Sequence, residues 1–167
     1  MSSLDLAAFL AHWRAMRKRT LRVLDGLPEG DLEWAPRPGG WSFGDLLRHL
    51  GGIERFLWAE AVAGRPCSYP GHGEELGSGV EGVRAYLARC HEESLAIFRA
   101  LAPEDLDRAC PTPGGSTVPA GRALLLMAEH EAHHRGQLHL MAGLRGIVLP
   151  QLFAMTEEEV RRLSQAR

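Results

Sequence analysis

Residues 128–138 read AEHEAHHRGQL, within a long segment whose apolar residues recur at helical spacing. At about 100° per residue, His130 and His134 lie on one face of such a helix, one turn apart. This is the spacing at which two imidazoles can bind one metal ion. Several mostly apolar residues share or border that face: Leu126, Met127, Gln137, Leu138 and Met141. The pair is therefore expected to point inward, where a buried imidazole needs a partner.

This segment covers about 117–144. Three further segments show the same periodicity, at about 3–25, 42–63 and 79–101. Connections rich in Pro and Gly separate them, and a last short helix is expected at 156–163. Arg17 is expected on the polar side of the first helix and Pro119 in the first turn of the fourth. The Gly51–Gly52 pair predicts a place where another helix or a ligand comes close. No alternating run of β-branched residues predicts a strand. The pattern predicts an all-α four-helix bundle forming one domain over 1–167, with long connections. The loop at 65–78 is long enough to be a crossover between parallel helices.

Composition excludes several classes of function. The chain has 167 residues, a formal net charge of -2 and 45% hydrophobic residues, which is typical of a globular protein. That charge gives no reason to expect a nucleic-acid partner. No apolar run approaches the length of a membrane span and no apolar signal core begins the chain, so a cytoplasmic protein without a membrane partner is expected. Cys67, Cys90 and Cys110 are too few and too scattered to predict disulfides or a thiolate zinc site.

A third candidate ligand lies on the second helix. Ser42 and Asp45 form a capping-box pattern at its start, and its inward stripe contains Leu46 and Leu50. His49 lies beside that stripe. With His130 and His134 it would give a three-nitrogen site with open positions, which is a catalytic arrangement rather than a closed structural one. The alternative, left open by spacing alone, is a boundary histidine at 49 and two histidines that bind ordered water.

The other histidines carry weaker signals. His133 is displaced by one position from the paired face, so it is expected to face solvent or a neighbouring helix. Four more are expected at the surface: His12, His72, His91 and His139.

Residues 130–134 also satisfy the HExxH pattern of zinc proteases. Glu131 would then be the general base, and one of the glutamates at 157–159 the third ligand. Those proteases place this helix beside a sheet whose edge strand binds the peptide, and no such strand is predicted here. The sequence therefore disfavours the protease interpretation.

Two motifs in this order resemble the DinB/YfiT-like superfamily of metal-binding four-helix bundles. The first is Gly-Trp-Ser at 40–42 leading into Asp-Leu-Leu-Arg-His-Leu at 45–50, and the second is the His-rich run at 130–138. The resemblance covers about residues 3–148. It implies an up-down-down-up bundle, often a homodimer, and a divalent metal, usually zinc or nickel. The metal ligands that it implies are His49, His130 and His134.

The second motif also contains Arg135, Gly136 and Gln137, which match the family's fourth helix. The resemblance suggests that Gly136 permits close helix packing. Gln137 would support the site by hydrogen bonding, and Arg135 would make a structural ion pair.

The function that the resemblance implies is metal-dependent. Characterised members include transferases and an isomerase that use low-molecular-weight thiols such as bacillithiol or mycothiol, so a thiol S-transferase in detoxification or stress response is expected, with the thiol as cosubstrate. A metal-dependent hydrolase of a small substrate and a non-catalytic metal-binding dimer are the alternatives. Glu54 and Glu131 are possible bases, although Glu131 is expected to point away. The loops at 65–78 and 110–116 are expected to form the pocket rim.

Overall fold

Four long helices form most of the computed structural model, which describes residues 4–152 and 155–165. They are α1 (Leu6–Asp25), α2, α3 (Gly79–Arg99) and α4 (Ala120–Arg145). Helix α2 runs without a break through an α-helical segment (Phe43–Ile53), a π-helical turn (Glu54–Trp58) and a last α-helical turn (Ala59–Val62). A short α5 (Glu157–Gln165) follows. The predicted four-helix bundle is confirmed.

Local signals in the sequence fix where the helices begin and end. Asp5 caps α1 by accepting a hydrogen bond from the backbone of Ala8. At the start of α2 the side chain of Ser42 accepts from the backbone of Asp45, whose carboxylate accepts in return from the Ser42 backbone, as the sequence predicts. Helix α4 ends at Gly146, where a φ of 76° in the left-handed region turns the chain back.

The prediction that the chain lacks strands is wrong at one point. Strand β1 (Ala109–Pro111) pairs antiparallel with β2 (Thr117–Pro119), so α4 begins at residue 120 and not near 117. Pro119 is extended and precedes the helix instead of lying in its first turn. Strands of three residues are too short to show alternation, and their pairing depends on the turn at 112–116.

The buried apolar residues form two clusters, to which each of the four long helices contributes. One contains Trp13, Trp58 and Met127, and the other contains Leu24 and Leu138. Between the two clusters lies a layer of buried polar side chains: Arg17, Thr20, His49, Glu54, His91, Glu131 and Arg135. Of the helices in residues 4–152 and 155–165, none is both long and apolar enough to cross a lipid bilayer.

Helices α2 and α3 approach closely at a pair of glycines. A Cβ on Gly51 would lie 3.0 Å from a ring carbon of Tyr86, and one on Gly52 would lie 3.1 Å from the Tyr86 hydroxyl. The close approach that the Gly51–Gly52 pair predicts is therefore found, with helix α3 as the partner.

This contact predicts opposite effects of the same substitution at two helical glycines. Gly143 on α4 has no atom within 4 Å of a built Cβ, so Gly143→Ala should raise the free energy of unfolding by about 0.5–1 kcal/mol. Gly51→Ala should lower it instead, because the Tyr86 ring must move. Urea unfolding of both variants beside the wild type measures the difference. Equal stabilisation by both would contradict the close packing of α2 against α3.

Candidate metal centre

Three histidine side chains converge in the polar layer. His49 comes from α2, and His130 and His134 come from α4, one turn apart. The Nε2 atom of His130 lies 3.3 Å from Nε2 of His49 and 3.0 Å from Nε2 of His134. One ligand atom from each residue lies within 4.8 Å of the others. Tetrahedral coordination with bonds of about 2.0–2.1 Å places ligand nitrogens about 3.4 Å apart, close to these distances.

On two of these rings, a hydrogen bond at Nδ1 leaves Nε2 free to bind a metal. The Nδ1 of His134 lies 2.6 Å from Oε1 of Gln137, so Nδ1–H donates to the amide oxygen and Nε2 keeps its lone pair. This is the support that the family motif suggests for Gln137. The Nδ1 of His49 lies 2.7 Å from the hydroxyl oxygen of Tyr69, which can accept in the same way.

Burial keeps these imidazoles neutral. Desolvation, followed by the charges of His134 and His130, lowers the pKa of His49 from 6.5 to about 3. Desolvation also lowers the pKa of His130, to about 4, and the pKa of His134. The neutral imidazole is the form that binds metal. Three neutral nitrogens aimed at one point fit a divalent ion such as zinc or nickel, with positions left open for a further ligand.

Aromatic side chains from the connections surround the triad. The Trp41 ring lies with its centroid 4.8 Å from that of His49 and 6.2 Å from that of His134. The loop at 65–78 supplies Tyr69 and also His72, whose Nδ1 lies 3.3 Å from the Tyr69 hydroxyl and whose ring is 4.3 Å from Trp41. The prediction that His72 is a plain surface residue is therefore wrong, because it packs on the aromatic wall. Loop residues have no periodicity from which this contact could be found.

A pocket of about 380 Å³ opens beside the triad. His134, Gln137 and Trp41 form the wall nearest the histidines, and the rest is mostly apolar, with Leu46, Leu140, Met141 and Leu144. Arg37 provides the one charged side chain among its described lining residues, and its Cγ lies 3.0 Å from where a Cβ on Gly40 would stand. The segment at 36–41 thus forms the rim. The prediction that the loops at 65–78 and 110–116 form it is wrong, because neither supplies a described residue to this pocket.

Beneath the triad lies a buried ion network centred on Arg17. Its Nη2 is 2.5 Å from Oε2 of Glu54 and 2.9 Å from Oε2 of Glu131. It also donates to the carbonyl oxygen of Leu50 at 3.4 Å. Arg17 is only 1% exposed, so its predicted place on the polar side of α1 is wrong. At 100° per residue it falls beside Trp13 on the buried stripe, and its charge alone suggested the opposite side.

The same network accounts for the buried position of His91. Its Nδ1 lies 2.9 Å from Oε1 of Glu54, which also accepts from the indole N–H of Trp13 at 2.8 Å. His91 is buried, so the prediction that it is a surface residue is wrong. Desolvation disfavours the charged form of Glu54, which by itself would raise its pKa. Arg17, His91 and Trp13 outweigh this effect, so the pKa of that carboxyl is lowered.

Neither candidate base faces the triad. Glu131 accepts from the Thr20 hydroxyl at 2.6 Å and lies against Arg17, and burial raises its pKa despite that partner. It points into the core, as expected from its position beside His130. The HExxH interpretation fails because Glu131 does not face the three nitrogens, and because His49 supplies the third one. The other histidine of residues 130–134, His133, is exposed.

Comparison with known proteins agrees with this architecture. The model of the DinB superfamily matches residues 12–138. A crystal structure of a DinB-like protein from Bacillus subtilis is 22% identical, with a TM-score of 0.70 over 87% of this chain and 97% of that one. YfiT from Bacillus subtilis, described as a probable metal-dependent hydrolase with a four-helix bundle, is 16% identical, with a TM-score of 0.66 over 89% and 91%. A mycothiol-dependent maleylpyruvate isomerase is 18% identical, with a TM-score of 0.55 over 98% and 71%. These likenesses show a shared fold.

The triad predicts one divalent ion per chain. After incubation with zinc or nickel and gel filtration, elemental analysis of the wild type should give about one ion per chain. His49→Ala and His130→Ala should each lose it, because two nitrogens hold such an ion far less tightly. His12→Ala, which removes an exposed imidazole from α1, is the matched control and should retain the ion. Wild-type protein without metal would contradict the site.

The ion network predicts a large effect on stability. Arg17→Met keeps the volume but leaves Glu54 and Glu131 without their cation, so the free energy of unfolding at neutral pH should fall by about 3–5 kcal/mol. Adding Glu54→Gln and Glu131→Gln to that variant should recover most of the loss. Arg14→Met, at an exposed position of α1, should change stability by less than about 0.5 kcal/mol. Chemical denaturation measures all three, and a full loss that persists in the triple variant would contradict this account.

Proposed function

The chain belongs to the DinB superfamily, and we propose that it is a metal-dependent enzyme whose centre is formed by His49, His130 and His134. The observation that carries this proposal is the convergence of three neutral imidazole nitrogens beside a pocket. A divalent ion held by these three residues would supply Lewis acidity, which would lower the pKa of a thiol or a water molecule. From the resemblance we also propose a homodimer that acts in the cytoplasm.

The protein's own residues prepare the site for a small nucleophile. Three protein ligands leave positions open, which a closed structural site would fill. Gln137 and Tyr69 fix the orientation of two of the rings, and the Trp41 ring packs beside both of them. Because the pocket wall is mostly apolar, an organic substrate that fills it excludes water from the neighbourhood of the triad.

We propose a thiol S-transferase as the first activity, with a low-molecular-weight thiol such as bacillithiol and a role in detoxification or stress response. The sulfur would attack an electrophilic carbon, forming a C–S bond while the leaving group departs with its electron pair. The thiol proton would pass to solvent, since Glu54 and Glu131 are engaged with Arg17. Two observations support this choice: the similar fold of a mycothiol-dependent isomerase, and a pocket whose apolar wall and Arg37 suit an electrophile with an anionic group.

A hydrolase is the second candidate, and the likeness to YfiT, a probable metal-dependent hydrolase, favours it. The same three nitrogens and open positions would serve a water molecule instead of a thiol. The two activities differ in whether product formation requires the thiol.

An assay with two substrates separates the candidates. Zinc- or nickel-loaded protein should accelerate the reaction of bacillithiol with 1-chloro-2,4-dinitrobenzene, followed by the absorbance of the thioether. His49→Ala should lose at least about 100-fold in rate, because the nucleophile is no longer acidified. His12→Ala should keep the wild-type rate.

Release of 4-nitrophenol from 4-nitrophenyl acetate without any thiol, and its loss in His49→Ala, would identify a hydrolase instead. Metal-loaded protein that is inactive towards both substrate pairs would count against the transferase and against the esterase form of the hydrolase.

A further inference from the structure

A large cavity lies on the other side of α4 from the histidine triad. It has a volume of about 790 Å³ and lies between α4 and the chain that follows it. Its α4 residues, Ala132, Arg135, Gly136 and His139, form a stripe with helical spacing. At 100° per residue this stripe lies about half a turn around the helix from His130 and His134. The cavity is therefore separate from the metal centre and its pocket.

Arg135 is the central polar group of this cavity. It is only 7% exposed, yet it makes no hydrogen bond and no ion pair with any residue in 4–152 or 155–165, and its Nη1 is fully buried. The ion pair that the family motif suggests for it is therefore not found in that part of the chain. The Nε2 of His139, one turn further along, is also buried without a partner. Unpartnered donors at buried positions are costly, and a bound acceptor removes that cost.

The charges around the cavity favour an anion. No acidic residue is among its described lining residues. Glu131 attracts Arg135, but its carboxylate lies against Arg17 and accepts from Thr20, while Arg17 and Arg19 repel Arg135. A guanidinium presents a planar fork of donors that matches a carboxylate. The cavity thus has an unsatisfied cation and no counter-ion of its own.

The opposite wall is mostly apolar and held in place. Most of its residues are apolar, and Gln151 and Thr156 are the polar ones among those described. The apolar ones are Val148, Leu149, Pro150, Leu152 and Met155. The Arg22 Nη2 donates to the carbonyl oxygen of Gln151 at 2.9 Å, and Pro150 packs against Gly26 so closely that a Cβ there would lie 2.6 Å from its Cδ. The segment after α4 is thereby attached to α1. A ligand that fills this space must carry an apolar body as well as an anionic group.

We propose that this cavity is a second binding site, which takes a small amphiphilic carboxylate with its carboxylate on Arg135 and its apolar chain against 148–152. Gly136 contributes to the opening. A Cβ built on it meets nothing within 4 Å, so the close helix packing expected at this glycine is not found, and the residue faces the cavity instead.

Calorimetric titration of the purified protein with sodium octanoate tests the site. We expect saturable binding of about one octanoate per chain. Arg135→Gln should weaken it roughly tenfold or more, because a charge-assisted bidentate contact is lost. Arg122→Gln, which removes an exposed arginine from the same helix, should bind as the wild type does. Gly136→Leu should weaken binding by placing a side chain in the space beside Arg135 while leaving Arg135 itself unchanged.

Two further titrations identify where the ligand binds and which group is recognised. His49→Ala should still bind octanoate, and loss of binding in that variant would place the ligand at the metal centre and overturn the proposal. Octanol should bind at least roughly tenfold more weakly than octanoate, since it has no charge to pair with Arg135. Absence of saturable octanoate binding, or unchanged binding in both Arg135→Gln and Gly136→Leu, would also overturn it.

Discussion

The arrangement of all four long helices depends on one buried cation, Arg17. Its guanidinium reaches two carboxylates, one on α2 and one on α4, and the Glu54 carboxylate in turn accepts from His91 on α3. Burying these charges separately would cost several kcal/mol each, so they are stable only as a group. Arg17, His91 and Trp13 lower the pKa of Glu54, whereas burial raises the pKa of Glu131 despite Arg17.

This layer also determines the geometry of the histidine triad. Helical geometry alone fixes His130 relative to His134, but the distance to His49 depends on how α2 and α4 are placed. Arg17 contacts the carbonyl of Leu50, the residue after His49, and the carboxylate of Glu131, the residue after His130. It thus joins the two helices directly beside the nitrogens that converge.

The sequence predicts those features whose cause is local. The spacing of His130 and His134, the cap at Ser42 and the inward stripe beside His49 each depend on residues within one helix, and the structure places them as expected. The sequence does not predict the burial of Arg17 and His91, because both pair with Glu54, which is 37 positions from each. Periodicity contains no information on such pairs. The contacts of Tyr69 and His72 with the triad and with Trp41 are not predicted either, because both residues lie in a loop.

The helices and the connections therefore have different parts in the function. All three converging nitrogens come from helices whose packing is fixed by the core and by Arg17, so the position of the triad follows from the fold. The side chains beside the triad and its pocket, Arg37, Trp41 and Tyr69, lie in the connections before and after α2. Loops can change in length and composition without moving the helices. A reactive centre can then be inferred from helical spacing, whereas the substrate depends on side chains that no periodic pattern identifies.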